Sequence, residues 1–565
     1  MVLSIRGRET GKNESEILAM SKVEGSVGAE APATTEKHLR RIAAFFLVLS
    51  IFLALGVRYR LLETPLERDE GEYAYAGSLL LSGVPPYQEA YNMKLPGVYA
   101  AYAAVLRLFG KTISGIHTGL LVINMITVLF LYLLARRLLR FGGAVVAAAL
   151  FAFLSLGQAV QGVFANAEHF VLLFAVPALW VFVAAMDRES TPLLFSSSVL
   201  FGFAFLMKQH GALFFAFGAV YLLIDGCRRR EGAFRWLLPR FLSYIAGALI
   251  VYGLLCLMLW RAGVFERFWF WTVEYARAYI DQRETGEVFV RFWNAASEVA
   301  GASPLLWVWA VLGVLLAATA KEGCRRGDFL LLLGLFSLLA VTPGFHFRPH
   351  YFVLLLPAAA LLAGAAAACA GSVPISHHPS ISRDVVLGLI VVCLALTTIQ
   401  QRAFLFEMTP IQVNRATYGL NPFIESVEIA RYIRARTGEE EKIAVIGSEP
   451  QIYFYADRRA ATGFIYTYPL MEEHENALRM QEEMIREIEE ARPAYLVYVR
   501  NLHSWGYRAE SHTRILDWFQ EYRRGYDLVG LVDMFPKGTR YYWAPDVRWP
   551  PRSECWIAVM ERKNR

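Results

Sequence analysis

The residues best suited to catalysis form an acidic cluster directly after the first strongly apolar run of the chain. In the stretch LERDEGEYAYAG, five charged residues stand close together: Glu67, Arg68, Asp69, Glu70 and Glu72. A carboxylate held within hydrogen-bond reach of a hydroxyl group can accept its proton as that oxygen attacks a substrate. Charge runs are also typical of solvated surfaces, so this stretch alone leaves a catalytic role and a surface role equally open.

Further charged groups occur where other apolar segments begin. They are one carboxylate, Glu168 in FANAEHF, and five basic residues: Lys94 in YNMKLPG, Lys208 and His210 in MKQHG, and Arg348 and His350 in FHFRPHY. Each of them alone is more often an interfacial anchor than a ligand contact. Carboxylates facing cations suit the transfer of a group from a phosphate-linked donor. A carboxylate can take the acceptor's proton while fixed positive charge holds the departing phosphate.

The composition places these residues in a membrane protein. Of the 565 residues, 56% are hydrophobic and 19% are charged, and the mean hydropathy is +0.37. This is too apolar for a soluble enzyme of that length. The net charge of +6 is small for so long a chain, and nucleic-acid binding is not implied. The six cysteines include no CxxC pair, so neither a disulfide framework nor a zinc site is indicated.

A membrane-spanning helix needs about 20 mostly apolar residues. Eleven candidate spans are approximately residues 41–58, 113–135, 141–162, 169–186, 192–207, 210–225, 236–261, 304–320, 328–344, 351–370 and 384–401. Residues 1–36 are polar and predict a disordered cytoplasmic tail. With that tail inside, the basic groups that flank the spans all fall on the inner side, as the positive-inside rule requires. This topology needs residues 95–110 to lie along the outer surface rather than to cross the membrane.

The chain becomes polar and charged after the last candidate span. The segments KIAVIGSE, PAYLVYV and DLVGLVDMF predict buried strands, and residues 422–437 and 472–491 predict helices that alternate with them. Residues 402–565 are therefore expected to form a soluble α/β domain, which the odd number of spans places on the outer side. The first outer loop, 58–112, and the aromatic loop 265–279 share that side. The aromatic loop either covers a site there or anchors the chain at the interface.

The motifs resemble those of a known class of membrane enzymes. RDEGEYAYAGSLLLSGVPPY followed by NMKLPGVYAAYA is similar to the first outer loop of the GT-C class of glycosyltransferases. The similarity points to the bacterial branch related to protein O-mannosyltransferases and to the lipid A aminoarabinose transferase. It extends through FANAEHFVLL, FAFLMKQHG and FRPHYFVLLLP to GSEPQIYFYADRRAATGF, and so covers most of residues 40–500.

The resemblance implies an α-helical multi-pass enzyme of GT-C-like fold, with residues 37–401 as its transmembrane catalytic domain and a polyprenyl-phosphate sugar as its donor. The roles carried over by position fall into two groups: Asp69, Glu70 and Glu168 as catalytic carboxylates, and Lys94, Arg348, His350, Lys208 and His210 at the donor phosphate. Asp69 would be the base, and Lys94 the phosphate contact.

The chain departs from the aminoarabinose branch next to Lys94. Where that branch commonly has Glu-Lys-Pro-Pro, this chain has MKLP at residues 93–96. The missing Glu removes a potential metal ligand. A divalent cation, Mg²⁺ or Mn²⁺, held by Asp69, Glu70 and Glu168 would find the oxygen ligands that it prefers. The spacing does not demand a metal, and the expected chemistry requires no cofactor.

The sequence thus predicts an enzyme of the inner cell membrane, surrounded by membrane lipids, that moves a sugar from a polyprenyl phosphate to an acceptor on the outer face with inversion at the anomeric carbon. The acceptor stays open between a lipid, a polysaccharide and a protein. Residues 262–303 lack the length of the insert found in protein O-mannosyltransferases. One alternative is a transporter or flippase of a lipid-linked sugar or anion, although transporter sites usually lie at the membrane midplane. Another is a non-catalytic assembly protein, in which Asp69 would be replaceable.

Overall fold

The computed structural model describes residues 33–229, 232–281, 285–319, 326–369 and 379–563. The predicted cytoplasmic tail, residues 1–36, lies outside the described residues except for its last positions, which begin the first helix.

The membrane part and its outer loops are helical. In chain order, the α-helices are α1 (Ala33–Arg60), α2 (Arg68–Leu81), α3 (Gly97–Phe109), α4 (Ile113–Leu138), α5 (Phe141–Leu154), α6 (Ala167–Asp187), α7 (Thr191–Met207), α8 (Ala212–Cys227), α9 (Ala233–Arg261), α10 (Phe265–Trp269), α11 (Ala276–Asp281), α12 (Val288–Gly301), α13 (Pro304–Thr319), α14 (Gly327–Leu339), α15 (Leu356–Cys369) and α16 (Pro379–Gln400).

The long apolar helices coincide with the predicted spans. Among the described residues, six stretches are long and apolar enough to cross a membrane: Arg41–Arg60, Ile113–Leu138, Ala167–Asp187, Gln209–Cys227, Ala233–Arg261 and Pro349–Cys369. Helices α12 and α13 meet at an angle of 109° and would supply a seventh span as a broken pair. The other predicted spans correspond to the shorter apolar helices α5, α7, α14 and α16. The α-helical multi-pass architecture is therefore confirmed, while the number of crossings and their orientation stay predictions.

The first outer loop is built on α2 and α3, which pack against each other. Helix α2 begins at Arg68 because Glu67 and Glu70 cap it reciprocally. The Glu67 carboxylate accepts a hydrogen bond from the Glu70 N–H at 2.9 Å, and the Glu70 carboxylate accepts one from the Glu67 N–H at 3.0 Å. This arrangement satisfies N–H groups that a helix start leaves unpaired, and it fixes Asp69 in the first turn.

The C-terminal region combines short helices with one sheet. Its elements are α17 (Pro410–Tyr418), α18 (Phe423–Arg434), β1 (Ile443–Ile446), α19 (Gln451–Ala456), α20 (Tyr468–Met471), α21 (Ala477–Ala491), β2 (Tyr495–Arg500), α22 (Leu502–Trp505), α23 (Arg514–Tyr522), β3 (Tyr526–Phe535), β4 (Gly538–Trp543) and β5 (Cys555–Arg562).

The five strands lie in the order β1-β2-β5-β3-β4. Strands β1 and β2 are parallel, and β5 pairs antiparallel with both β2 and β3. Strand β4 pairs antiparallel with β3 at the edge. The three predicted strands and both predicted helices are confirmed. Strand β4 and the central strand β5 were not among the strands predicted from the sequence. The boundary of the domain at residue 402 stays a prediction.

The C-terminal domain is fastened to the first outer loop by backbone and tyrosine hydrogen bonds. The Leu66 N–H donates to the Tyr455 hydroxyl, and the Ala460 N–H donates to the Tyr75 hydroxyl, each at 2.8 Å. Helix α19 also meets α2 closely at Gly71, where a Cβ atom would lie only 2.6 Å from the Gln451 Cβ. A side chain at position 71 would force the two helices apart. The close approach holds the C-terminal domain over the acidic cluster.

Candidate active site

A cavity of about 620 Å³ lies between the first outer loop, the segment around residue 350 and the C-terminal domain. Its volume is in the range of ligand-binding pockets. The charged residues of its lining are Glu67, Arg68, Asp69, Lys94, Arg348, His350, Glu472, His503 and Arg508. Four of the eight residues predicted from the sequence therefore share one cavity: Asp69, Lys94, Arg348 and His350.

Asp69 and Lys94 form an ion pair on the cavity wall. The Lys94 ammonium lies 3.0 Å from Asp69 Oδ2 and donates a second hydrogen bond to the Tyr73 hydroxyl at 3.2 Å. Burial acts to raise the pKa of Asp69, but the Lys94 charge, aided by Lys208, holds that pKa well below its usual range. Burial likewise acts to lower the pKa of Lys94, but Asp69 and Glu72 hold it well above its usual value. Both groups are therefore charged over the physiological pH range.

The second pair of predicted residues precedes α15. The segment from Pro349 to Leu355 is a 3₁₀ helix, and Arg348 is its N-cap. His350 Nδ1 lies 2.9 Å from Gln161 Oε1, which fixes the imidazole ring at the cavity wall. The structure thus brings the Arg348 guanidinium and the Lys94 ammonium to the cavity that the Asp69 carboxylate lines.

Three predicted residues lie one layer behind this wall, around the Tyr351 ring. The Lys208 ammonium lies 4.1 Å from the centre of the ring, and the His210 ring centre lies 4.6 Å from it. The buried Glu168 carboxylate pairs with Lys208 at 2.5 Å, and His210 Nδ1 lies 2.7 Å from the Ala340 carbonyl oxygen. These side chains are placed to support Tyr351, which lines the cavity, rather than to line it themselves.

Glu70 points away from the cavity into the membrane part. Its carboxylate lies 3.0 Å from His117 Nε2, accepts the Ala165 N–H at 2.5 Å and caps α2 through Glu67. Glu70 is completely buried. These bonds hold the start of α2 against the membrane part, and the Glu70 side chain does not line the cavity that Asp69 lines.

The three carboxylates suggested as metal ligands do not converge on one point. Glu70 is bonded to His117 and Ala165, and Glu168 to Lys208, whereas Asp69 faces the cavity. Within the described ranges, no group of three or more His, Cys, Asp and Glu side chains is placed to hold a metal ion. The observed geometry does not fit a cation shared by these carboxylates.

Sequence reasoning missed Arg68, which joins the site to the C-terminal domain. Its guanidinium lies between the rings of Phe423 and Tyr468, 5.3 and 5.5 Å from their centres. It donates to the Ser448 carbonyl oxygen at 2.6 Å and to the buried Glu449 carboxylate at 3.1 Å. The only local signal was its place in the acidic cluster.

Aromatic side chains from distant parts of the chain complete the cavity. Tyr466 and Tyr468 come from the C-terminal domain, and the Tyr466 hydroxyl donates to the Arg68 carbonyl oxygen at 3.1 Å and lies 3.5 Å from Asp69 Oδ1. Tyr275 and Tyr279 come from the aromatic loop, which therefore contributes to the wall of the site. Tyrosine rings offer both a stacking face and a hydroxyl group, a combination that suits sugars.

This architecture is the fold of the GT-C class of membrane glycosyltransferases, and the resemblance drawn from the motifs is confirmed at the level of the fold. The structure of ArnT from Cupriavidus metallidurans bound to undecaprenyl phosphate has a TM-score of 0.58 at 16% identity, with 92% of this chain and 98% of that chain covered. The archaeal oligosaccharyltransferase AglB from Archaeoglobus fulgidus, in complex with an inhibitory peptide and a dolichol-phosphate, has a TM-score of 0.50 at 14% identity, with coverages of 90% and 74%.

A family profile supplies a second, independent likeness. The family described as dolichyl-phosphate-mannose-protein mannosyltransferase matches residues 94–260, a segment that begins at Lys94 and includes Glu168, Lys208 and His210. No protein of curated function matches the chain by sequence.

Proposed function

We propose that this protein is a membrane glycosyltransferase that transfers a sugar from a polyprenyl-phosphate donor to an acceptor hydroxyl group. The observation that carries the proposal is that the ionised Asp69 carboxylate and the cations Lys94 and Arg348 lie on the wall of the same cavity. The fold shared with proteins whose structures hold undecaprenyl phosphate and dolichol-phosphate supports a donor of this kind.

The proposed reaction is a single displacement at the anomeric carbon. The acceptor oxygen attacks C1 of the sugar as its proton passes to the Asp69 carboxylate. The bond between C1 and the phosphate oxygen breaks, and its electron pair leaves with the polyprenyl phosphate. Lys94 and Arg348 stabilise the growing negative charge on that phosphate. A single displacement inverts the configuration at C1, and the phosphate leaves as a stable anion without a separate acid.

The ion pair between Asp69 and Lys94 gives donor binding a role in activating the base. An aspartate whose pKa is held far below its usual range by a cation is a poor proton acceptor. A phosphate group placed beside Lys94 shares the ammonium charge and thereby raises the pKa of Asp69. Asp69 then becomes basic when a donor is present, and the enzyme avoids unproductive proton transfer before that.

The proposal also covers the metal requirement, the role of Glu168 and the side of the membrane on which the reaction takes place. No step is routed through a metal ion. Glu168, through Lys208 and Tyr351, would position the donor side of the cavity rather than exchange protons. We place the cavity and the C-terminal domain on the outer face of the inner membrane, in agreement with the charges that flank the spans.

The test is turnover by the purified full-length protein in lipid nanodiscs, with a panel of radiolabelled polyprenyl-phosphate sugars. The proposal predicts release of polyprenyl phosphate from at least one donor, with a product of inverted anomeric configuration. In a parallel assay, the same protein in sealed vesicles is tested for movement of intact donor across the bilayer. Movement without cleavage would overturn the proposal in favour of a transporter.

A further inference from the structure

A second cavity, of about 500 Å³, lies directly beside the first. Gln161 and Pro349 line both cavities and so form the partition between them. Gln161 has a φ angle of 53°, in the left-handed region that side chains other than glycine rarely adopt. Such backbone strain persists only where surrounding contacts enforce it, and it concentrates at functional sites. Here the contact with His350 holds the Gln161 side chain in the partition.

The two cavities differ in charge. The polar groups of the second cavity are mostly neutral amides and a hydroxyl: Gln158, Gln161, Gln400, Gln401 and Thr417. Among the described residues that line it, Glu298 alone is charged, whereas Arg68, Lys94, Arg348 and Arg508 line the first cavity. A phosphate group is therefore stabilised in the first cavity and not in the second.

Primary amides recognise hydroxyl groups well because each amide both donates and accepts hydrogen bonds. These amides come from two places, the turn after α5 and the end of α16, and helix α17 adds the Thr417 hydroxyl. Their convergence on one cavity of this volume gives a ligand with several hydroxyl groups more than one partner. A carbohydrate is such a ligand.

The second cavity also continues toward apolar surroundings. A small adjoining space of about 20 Å³ shares Ala159, Ala302 and Gln401 with it. The apolar side chains that line this space come from four helices and a short turn: Phe153, Leu154, Val160, Val299, Trp307 and Leu356. Polar groups beside the partition and apolar groups behind them match a sugar that is attached to a lipid.

The lipid chain of the donor fits the second cavity less well than a lipid-attached sugar does. Its first isoprene units follow the phosphate directly, so they would lie against the amides nearest the partition. Apolar contact would cover these half-buried or exposed amide groups and keep water from the polar atoms that face the cavity, without replacing the lost hydrogen bonds.

We propose that the second cavity binds the acceptor, and that the acceptor is a lipid-anchored carbohydrate whose uncharged, hydroxyl-rich part lies against these amides. This inference rests on the proposed function, because it assigns the first cavity to the donor. The acceptor reaches the first cavity past Gln161 and Pro349, so its reacting hydroxyl enters the space that Asp69 lines.

The test uses an alkyl maltoside that carries a photoreactive diazirine on its sugar, with the full-length protein in lipid nanodiscs. Crosslinked peptides are identified by mass spectrometry. The inference predicts labelling within residues 158–161 and 400–417, and competition by free maltose but not by polyprenyl phosphate. Labelling elsewhere, no labelling, or displacement by polyprenyl phosphate would overturn it.

A matched pair of variants tests whether a large side chain reduces the labelling because it blocks the second cavity or through a general effect on the protein. Ala416 lies exposed at the rim of the second cavity, and Ala435 lies exposed at the end of α18 and lines neither cavity. Ala416→Trp is expected to reduce the labelling about tenfold, as for a loss of about 1.4 kcal/mol in binding. Ala435→Trp is expected to leave it unchanged. Equal labelling of the two variants would contradict the inference.

Binding of polyprenyl phosphate to the wild-type protein is measured on the same samples. If polyprenyl phosphate binds and the maltoside labelling fails, the acceptor site alone is wrong. If polyprenyl phosphate does not bind, the proposed function fails, and the inference fails with it.

Discussion

The Lys94 ammonium and the Asp69 carboxylate lie 3.0 Å apart and connect the two helical parts of the first outer loop at the wall of the main cavity. Asp69 belongs to the first turn of α2, whereas Lys94 precedes α3. The proposed base and the proposed phosphate-binding cation therefore hold each other in position. This pair makes the charge of each residue depend on what binds to the other.

Replacing Lys94 with Met is expected to weaken the binding of polyprenyl phosphate. A hydrogen bond to a charged group contributes about 1.5–3 kcal/mol, so the dissociation constant should rise about tenfold to a hundredfold. Lys111→Met is the matched control, because Lys111 forms an exposed ion pair with Asp457 and does not line the cavity. The measurement is titration calorimetry in nanodiscs. Equal affinities for the two variants would exclude Lys94 from the phosphate site.

Glu72 provides a prediction about stability and pH. It is completely buried in α2 and accepts a hydrogen bond from the Tyr99 hydroxyl at 2.5 Å. Burial, with a contribution from Asp69 and against the pull of Lys94, raises the pKa of Glu72 to about 7. The native state therefore holds a proton that the unfolded state releases near pH 4.5. The binding of this proton stabilises the folded protein. Its contribution to the free energy of unfolding is fully present below pH 4.5 and is lost as the pH rises through about 7.

Glu72→Gln removes this titration while it keeps a neutral side chain of similar shape. As the pH rises from 5 to 8, the wild type is expected to lose stability and the variant to keep it. The difference between their free energies of unfolding should grow by on the order of 3 kcal/mol over this range. Thermal unfolding at several pH values measures the difference, with the exposed Glu510→Gln as the control. A difference that shrinks as the pH rises would contradict the assignment of a protonated, buried Glu72.

Glu70 is expected to contribute to folding rather than to turnover. Glu70→Gln disturbs the bonds to His117 and to the Ala165 N–H, so stability should fall by roughly 1–3 kcal/mol. The folded variant should keep most of its turnover rate, because the Glu70 carboxylate points away from the cavity. The rate per folded molecule, with folding measured by size-exclusion chromatography, checks this expectation. A Glu70→Gln variant that is folded but inactive would show that Glu70 takes part in catalysis.

The pair of Arg68 and Glu449 is expected to fasten the C-terminal domain to α2. Arg68→Met leaves the buried Glu449 carboxylate without its cation, which typically costs about 3–5 kcal/mol. Combining it with Glu449→Met should recover part of the loss. Arg524→Met, at the exposed pair with Glu521, is expected to cost less than about 1 kcal/mol. Thermal unfolding compares the variants, and an equal loss for Arg68→Met and Arg524→Met would refute the role of Arg68.

The sequence was sufficient to predict the helical spans, because runs of apolar residues of membrane length leave few other structures. The resemblance made Asp69 the base, but the sequence was not sufficient to show that its neighbour Glu70 does not line the cavity. Consecutive residues of a helix point about 100° apart, so only the exact start of α2 decides which one faces the cavity. That start depends on the cap formed by Glu67 and Glu70, and glutamate is not among the residues that favour the N-cap position.

Other parts of the site had no local signal at all. Arg68 and Glu449 are separated by 381 positions in the chain, so no local spacing reveals their pairing. Tyr466 and Tyr468 reach the cavity only through the packing of α2 on α19, which depends on the small size of Gly71. Strand β5 was missed because its apolar run is short and follows a proline-rich loop, although its pairing in the centre of the sheet makes it indispensable.

The most direct test of the account is the turnover of Asp69→Asn with the donor that the wild-type protein cleaves, measured beside the binding of polyprenyl phosphate. Asparagine has nearly the same shape as aspartate but cannot accept the proton. We predict a loss of turnover of about 10²-fold or more, as is typical for the removal of a general base, with polyprenyl phosphate still bound. Turnover equal to that of the wild type would show that Asp69 is not the base and would contradict the account.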